Sequence, residues 1–258
     1  MSVQSNAINT TFHNNQDIIR RLASGSRINK ASDDLAGFAI GQRQTSQING
    51  LYQAARNIGD GISLVQTADA ALGEGSEIFQ RMRELAIQAN NGIMNSSDRE
   101  KIQKEIDQLA AEFSDIAENT QFNNETLFDG NYTANIQIGS DSSGGMKFHL
   151  GDLQSVLDNI DVTDPDNIDT AIQNIDNALE TINDTRSELG ASQNRLQSAM
   201  DVLQNESMAH SQSRSAIMDT DYAADISENE RNQILSKVQV AMMNKENSRQ
   251  TFLMELFK

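Results

Sequence analysis

Apolar residues recur at alternating spacings of three and four along three stretches of the chain. Ile48, Leu51, Ala55, Ile58, Ile62, Val65 and Leu72 share the a and d positions of one heptad frame, with polar Asp69 at one site. Past Gly73 and Gly75 the stripe resumes shifted, as Ile78, Met82, Leu85 and Ala89. That shift reads as a stammer, a local change of winding inside a continuing helix, and marks a soft place. A second stretch opens with Ser97 and Glu100 in capping-box spacing and runs Ile102, Ile106, Leu109, Phe113, Ile116. A third opens at Asp164-Pro165, an N-cap with proline at the first helical position. From there Ile168, Ile172, Ile175, Leu179, Ile182, Leu189, Leu196, Met200 and Leu203 hold one frame, interrupted by Arg186 and Gln193.

Such seams predict helices of roughly 40 to 50 residues, far beyond the ~11-residue globular mean. A narrow seam builds a rod of helices folded back on each other, not a sphere. The expected fold class is therefore mainly α: a long antiparallel coiled-coil rod with a small β-hairpin region. The hairpin falls at about 131–151, where Ile136 and Ile138, then Met146, Phe148 and Leu150, alternate with polar neighbours across a Ser140–Gly145 turn. It is expected at the far end of the rod. The two chain ends carry sparse apolar stripes: Ile8, Phe12, Ile19 and Leu22 in 1–42, and Ile234, Val238, Ala241, Phe252 and Leu256 in 217–258. These tails can pair with each other, but two thin helices leave apolar surface open, which calls for further copies of the chain. Until then, ordering some 80 tail residues at ~1–2 kcal/mol each opposes folding, so tails without neighbours are expected to be largely disordered.

Composition narrows the function. Among 258 residues, 20 Lys and Arg face 37 Asp and Glu, a net charge of -17. So acidic a surface repels phosphate backbones and anionic lipid, which argues against nucleic-acid partners. No apolar run approaches the ~18 residues of a membrane span, so no membrane insertion is expected. Residues 1–17 contain no basic residue and no apolar core of a cleaved signal. Cysteine is absent, which removes disulfides, thiolate metal sites and thiol nucleophiles together.

No catalytic pattern emerges, and neither an enzyme nor a cofactor is expected. His13, His149 and His210 are scattered and read as surface or interface side chains. Gly59-Asp60-Gly61 lacks the rest of a dinucleotide fingerprint. Asp158, Asp161, Asp164, Asp166 and Asp169 lack the glycine and glutamate of an EF-hand loop and read as carboxylates at a helix start. Arg20, Arg21, Arg27 and Lys30 form a basic cluster, either a solvated face or a self-assembly contact to the acidic tail of Asp219, Asp221, Asp225, Glu228 and Glu230.

Specific strings go further. Leu22-Ala23-Ser24-Gly25-Ser26-Arg27-Ile28-Asn29 and Asp33-Asp34-Leu35-Ala36-Gly37 resemble the N-terminal signature of bacterial flagellins. Ala55 to Ser63, Arg81-Met82-Arg83-Glu84-Leu85-Ala86-Ile87-Gln88 and Thr120-Gln121-Phe122-Asn123 are similar to the same family and in its order. Leu189 to Leu196 and Asp219-Thr220-Asp221-Tyr222-Ala223 resemble its C-terminal half. Two departures stand out: Ser26 replaces the usual leucine, and the C-terminal helix carries Lys245, Glu246, Arg249, Glu255 and Lys258 where the family is uncharged.

The resemblance implies a structural subunit that polymerises into the bacterial flagellar filament used for swimming. It implies a terminal coiled-coil domain of 1–42 with 217–258 as the filament's inner tube. It also implies a helical rod domain of 43–216 and no outer variable domains. The implied partners are other copies of the chain, the export apparatus and a chaperone, and the filament cap and junction proteins. The implied location is the extracellular flagellum, reached without a cleaved signal. Gln80, Arg81, Arg83, Glu84, Leu85, Gln88 and Glu105 fall on the implied subunit interface, and Arg81, Leu85 and Glu105 match positions read by the vertebrate Toll-like flagellin receptor. The alternatives are the related hook–filament junction family, which carries proline where Leu35 stands, and an unrelated signalling coiled-coil rod.

Overall fold

A computed structural model describes residues 2–140, 144–157 and 160–256. Among these, five helices follow in order: α1 (Ser2–Ser24), α2 (Leu35–Ala89), α3 (Ser96–Asn119), α4 (Ile168–Met218) and α5 (Tyr222–Leu256). Two antiparallel pairs interrupt them: β1 (Gln121–Phe122) with β2 (Glu125–Thr126), and β3 (Thr133–Gln137) with β4 (Gly145–His149). A 3-10 turn spans Gln154–Leu157. The chain divides into two compact units, one of residues 1–48 and 208–258, the other of residues 49–207. The mainly α class with a small β-hairpin region is as expected. The side chains of Ile8 and Leu256, Asp158, and residues 141–143 of the hairpin turn lie outside the described residues.

Unit 49–207 is organised by α2. Beside the buried Leu64, Ser76, Ile78 and Leu85, one line of its buried positions runs Leu51, Ala54, Ile58, Gly61, Val65, Ala68, Leu72, Gly75, Phe79, Met82, Ala86, Ala89. That is an unbroken alternation of three and four, so no stammer exists at Gly73–Gly75. The frame read from large apolar residues slipped because every second seam site holds alanine or glycine up to Gly75. Those small sites let other elements approach. A Cβ on Gly61 would lie 2.4 Å from Ile136 Cδ1, and one on Gly75 would lie 2.7 Å from the Phe113 ring. Gly75 is therefore a packing notch, not a soft place. Phe113 of α3 stands edge-on to Phe79 of α2, with ring centroids 4.9 Å apart.

Side-chain contacts show the pairing direction: as residue numbers rise in α2 they fall in its partners. Asp69 meets Arg186, Arg83 meets Asp176, and Asn90 meets Asp169 on α4. Arg81 meets Glu105 on α3. The two polar interruptions, Asp69 and Arg186, thus face each other, with Nε and Oδ1 2.9 Å apart.

The hairpin does not cap the end of the helices. It lies along α2, with Ile136 over Gly61, Ser140 against Gly50, and Asn57 Nδ2 donating to the Gln137 carbonyl at 3.3 Å. Its Met146 and Phe148 need a flank to cover them, and both are buried in the same core as Leu127, Phe128 and Leu150. The second, smaller pair is a two-residue hairpin. Asn123 and Asn124 both take positive φ, 52° and 69°, as a type I′ turn requires.

Two helix starts differ from expectation. α3 is capped by Asn95, whose side chain accepts the Asp98 N–H, rather than by Ser97. Asn is as good a cap as Ser and stands two residues earlier. α4 begins at Ile168, with the Asn167 carbonyl accepting the Ala171 N–H. Asp164 instead closes a separate turn, accepting the Asp166 N–H at 3.1 Å. Asp161 likewise accepts from the Thr163 hydroxyl and N–H, which lowers its pKa from the ordinary 3.8.

Candidate assembly interface

The strings from opposite ends of the sequence fold into one joint in unit 1–48/208–258. Helix α1 ends where Gly25 takes a left-handed φ of 69°. A side chain there would be strained and would also meet the Tyr222 hydroxyl at 3.0 Å. Ser26 Oγ donates to the Met218 carbonyl at 2.9 Å, and Arg27 reaches the Ile217 carbonyl at 2.8 Å. Ser26 in place of leucine thus gains a polar tie across the joint. Asp33 accepts the Asn29 and Lys30 N–H groups, both at 3.0 Å, and these bonds, Asn29 first, lower its pKa from 3.8. Asp34 caps α2 by accepting the Gly37 N–H at 2.9 Å. On the other side Asp221 caps α5 through the Ala223 and Ala224 N–H groups. Thr220 bonds the buried Asp225, which also pairs with Arg21 at 3.4 Å. Of the basic cluster, Arg21 is thus tied to the chain's own acidic segment, while Arg20 pairs with Asp17 on α1 and Arg27 with a backbone carbonyl. His210 Nδ1 lies 2.6 Å from Gln44 Oε1, bridging α4 and α2 in this unit.

Beyond the joint, α1 and α5 pair antiparallel, Thr11 opposite Gln239 and Arg21 opposite Asp225. The face α5 turns inward is polar. Its covered positions are Asp225, Glu228, Asn229, Asn232, Gln233, Ser236, Gln239, Met243 and Glu246. On α1, Thr11, Asn15, Ile18 and Leu22 answer at spacings of four, three and four. Asn15 Oδ1, Asn229 Oδ1, Asn232 Nδ2 and Gln239 Oε1 are buried there without a hydrogen-bond partner. Such groups cost free energy when left unpaired. The apolar stripe faces the other way: Phe12 is 61% exposed, Ile19 50%, Ile234 58%, Val238 52% and Phe252 64%. Only Leu22 of the expected tail residues with described side chains is half-buried. Ile18 was missed as the apolar anchor of the pair. The polar seam was missed too, although asparagine and glutamine at heptad spacing in 225–246 signal it.

In the other unit, Gln80, Arg81, Arg83, Glu84 and Gln88 form an exposed strip on α2, with exposed Glu105 on α3 beside it. Arg81 Nη2 donates to Glu105 at 2.9 Å and Nη1 to Glu84 at 3.1 Å. Those bonds, Glu105 first, hold the guanidinium pKa above its ordinary value. Arg83 Nε donates to Asp176 at 2.6 Å, with the same direction of shift. Leu85 is the exception. At 2% exposure it belongs to the core beneath the strip and offers no surface.

Comparison with known proteins places this arrangement. The bacterial flagellin N-terminal helical region matches residues 1–133, and the bacterial flagellin C-terminal helical region matches residues 172–257. The chain belongs to the bacterial flagellins. It is 38% identical to a flagellin of Halalkalibacterium halodurans over 249 residues, 94% of this chain and 92% of that one. It is 33% identical to the flagellar filament 30.7 kDa core protein of Treponema maltophilum, over 90% of this chain and 88% of that one. Some relatives are much longer, and the match covers 40% of flagellin B from Vibrio anguillarum. The crystal structure of Bacillus cereus flagellin superposes with a TM-score of 0.53 at 37% identity, covering 57% of this chain and 88% of that one. The chain is thus a structural subunit of the flagellar filament, and the signalling-rod and junction-protein readings are not favoured.

Proposed function

We propose that the outward apolar stripes of α1 and α5 are the assembly surface, and that residues 1–42 and 217–258 of many copies pack into the filament's inner tube. Residues 43–216 surround that tube as a rod domain. The filament so built serves swimming, and the chain reaches its tip through the growing channel, where cap and junction proteins meet it. The observation that carries this reading is the inverted amphipathicity of the tail pair, polar within and apolar without. A contact that joins different faces of identical subunits does not close and extends as a helical polymer. The exposed strip of Gln80, Arg81, Arg83, Glu84, Gln88 and Glu105 is proposed as a second subunit contact and as the surface met by a vertebrate Toll-like receptor, with Leu85 supporting it from below.

Val238→Asp tests the main claim. The side chain is 52% exposed in the single chain, so the far-UV circular dichroism of the monomer should not change. Burying the exposed half of the native valine between copies is worth ~1 kcal/mol, and an unpaired carboxylate there costs more. Seeded polymerisation followed by sedimentation should be lost. Filaments forming at the wild-type rate would refute the surface assignment. For the strip, Arg81→Asp removes the bonds to Glu84 and Glu105 and should weaken filament stability or receptor activation by monomer. Both unchanged would remove the strip from the reading.

A further inference from the structure

We infer that Asn91 is a site of spontaneous covalent modification, deamidating through a cyclic imide formed with Gly92. The sequence holds two Asn-Gly pairs, Asn49-Gly50 and Asn91-Gly92. They sit in opposite settings. Gly50 lies inside α2, where its N–H is committed to the helix ladder and cannot attack a side chain. Asn91 and Gly92 lie in the exposed turn between α2 and α3. There the Asn91 backbone is held at both ends, its N–H by the Gln88 carbonyl at 3.2 Å and its carbonyl by the Met94 N–H at 2.9 Å. The Gly92 N–H makes no hydrogen bond among the described residues. Nothing stands within 4 Å of where a Gly92 side chain would be, so no neighbour restrains that peptide.

The Asn91 side chain is already folded over the following backbone, with Oδ1 accepting the Ile93 N–H at 3.3 Å. This contact supplies the electrophile's activation. Hydroxide removes the Gly92 amide proton, and the nitrogen lone pair forms a bond to Asn91 Cγ. Negative charge develops on Oδ1, where the Ile93 N–H receives it. The Cγ–Nδ2 bond then breaks, and Nδ2 leaves as ammonia with a proton from water, giving a five-membered imide. Water opens that ring at either carbonyl. Addition at Cγ yields aspartate; addition at the main-chain carbonyl yields isoaspartate, with the backbone rerouted through the side chain. No electron transfer is involved.

The product adds one negative charge to a chain already at -17. It places that charge at the carbonyl end of α2, where the helix dipole disfavours anions. Next to it, Asn90 Nδ2 donates to Asp169 Oδ1 at 3.2 Å, so the new carboxylate forms beside the tie between the turn and α4.

The full chain, incubated in warm, mildly alkaline buffer and digested with trypsin, reports both pairs at once. Cleavage after Arg83 and Arg99 isolates residues 84–99, and cleavage after Arg43 and Arg56 isolates residues 44–56. Asn91 should gain one mass unit on the order of tenfold or more faster than Asn49, because the helix must first open locally to free the Gly50 amide. Fragment-ion mapping assigns the change among Asn90, Asn91 and Asn95, and an isoaspartate-specific cleavage reads the rerouted product. Gly92→Ala, which open space accommodates, should slow Asn91 markedly while leaving the fold intact. Equal rates at Asn91 and Asn49, conversion at Asn90 or Asn95 instead, or an unaffected Gly92→Ala chain would each overturn the inference. None of these outcomes bears on filament assembly.

Discussion

Gly73 and Gly75 stand two residues apart in α2, and alanine at each should shift stability in opposite directions. At Gly73 nothing lies within 4 Å of a new Cβ. Replacing an interior helical glycine by alanine then stabilises by about 0.5–1 kcal/mol. At Gly75 the same Cβ would sit 2.7 Å from Phe113 Cε2 and 3.2 Å from Cδ2. The ring cannot swing out freely, because Phe113 is 1% exposed and packed edge-on against Phe79. Overpacking of this kind costs about 1–3 kcal/mol, and disturbing the aromatic pair adds about 0.5–1.5 kcal/mol. After the propensity gain, Gly75→Ala should destabilise by about 1–3 kcal/mol, leaving the two variants about 2–4 kcal/mol apart. At ~2–4 °C per kcal/mol for a chain of this size, their unfolding midpoints should differ by roughly 4 to 16 °C. Far-UV circular dichroism on monomer during heating and in urea measures the gap. Phe113→Leu added to Gly75→Ala should recover part of the loss, since a leucine leaves room for the Cβ. Gly75→Ala as stable as Gly73→Ala would refute the notch and restore the reading of Gly75 as a place of flexibility.

Two further outcomes follow from named contacts. Arg186→Leu alone should cost under about 1 kcal/mol, since the pair with Asp69 is partly exposed, whereas Asp69→Leu with Arg186→Leu should be neutral or stabilising in urea unfolding; a large loss in the double variant would show that the ion pair holds the α2–α4 register. Asp33 has a folded pKa below 3.8, so its contribution to the joint is fully present above that value and is lost as pH falls through the folded value. An NMR titration of its carboxyl carbon should therefore give an apparent pKa under 3.8, and a value at or above it would remove the Asn29 and Lys30 bonds as the cause.

Large apolar residues made the helices legible, and small ones hid how they pack. Leu51, Ile58, Val65 and Leu72 belong to both the expected and the observed seam of α2. Between them, however, Ala54, Gly61, Ala68 and Gly75 carry too little hydrophobicity to register as core, though each is buried. Choosing Ala55, Ile62 and Asp69 instead displaced the frame by one residue and created a stammer that the helix lacks. The same bias hid the polar seam of α5, because a search for apolar spacing finds the stripe that faces out. Leu85 is different: its spacing with Ile78, Met82 and Ala89 already placed it in the seam, where it is buried, and only the resemblance put it among the surface residues Arg83, Glu84 and Gln88. The Asn123-Asn124 hairpin was readable from its residues, as both tolerate positive φ, but two-residue strands carry no alternation to draw attention. The joint was legible only as quoted strings. That Gly25 must turn left-handed against Tyr222, some 200 residues later, depends on which segments the fold brings together.

The distribution of apolar side chains between the two units bears on why this chain polymerises rather than closing on itself. In unit 49–207 the seam residues of α2 and α4 are covered within the chain, as Ile58, Leu72, Ile182 and Leu196 are at 0% exposure. On α5 the opposite holds, with Ile234, Leu235, Val238, Met242 and Phe252 all more than 40% exposed. Rolling α5 by half a turn would bury that stripe against α1 and leave a satisfied monomer with little to offer a neighbour. The inward polar face prevents the roll from being neutral, because Asp225 would have to leave Arg21 and Thr220. At ~1.5–3 kcal/mol for fully burying each large apolar side chain, those five, each about half exposed, hold roughly 4–8 kcal/mol per subunit for contacts between copies, before ordering costs. That is comparable with the whole stability of an ordinary domain, ~5–15 kcal/mol. On the proposed reading, then, the weak, polar α1–α5 pair is what reserves the apolar stripe for the filament.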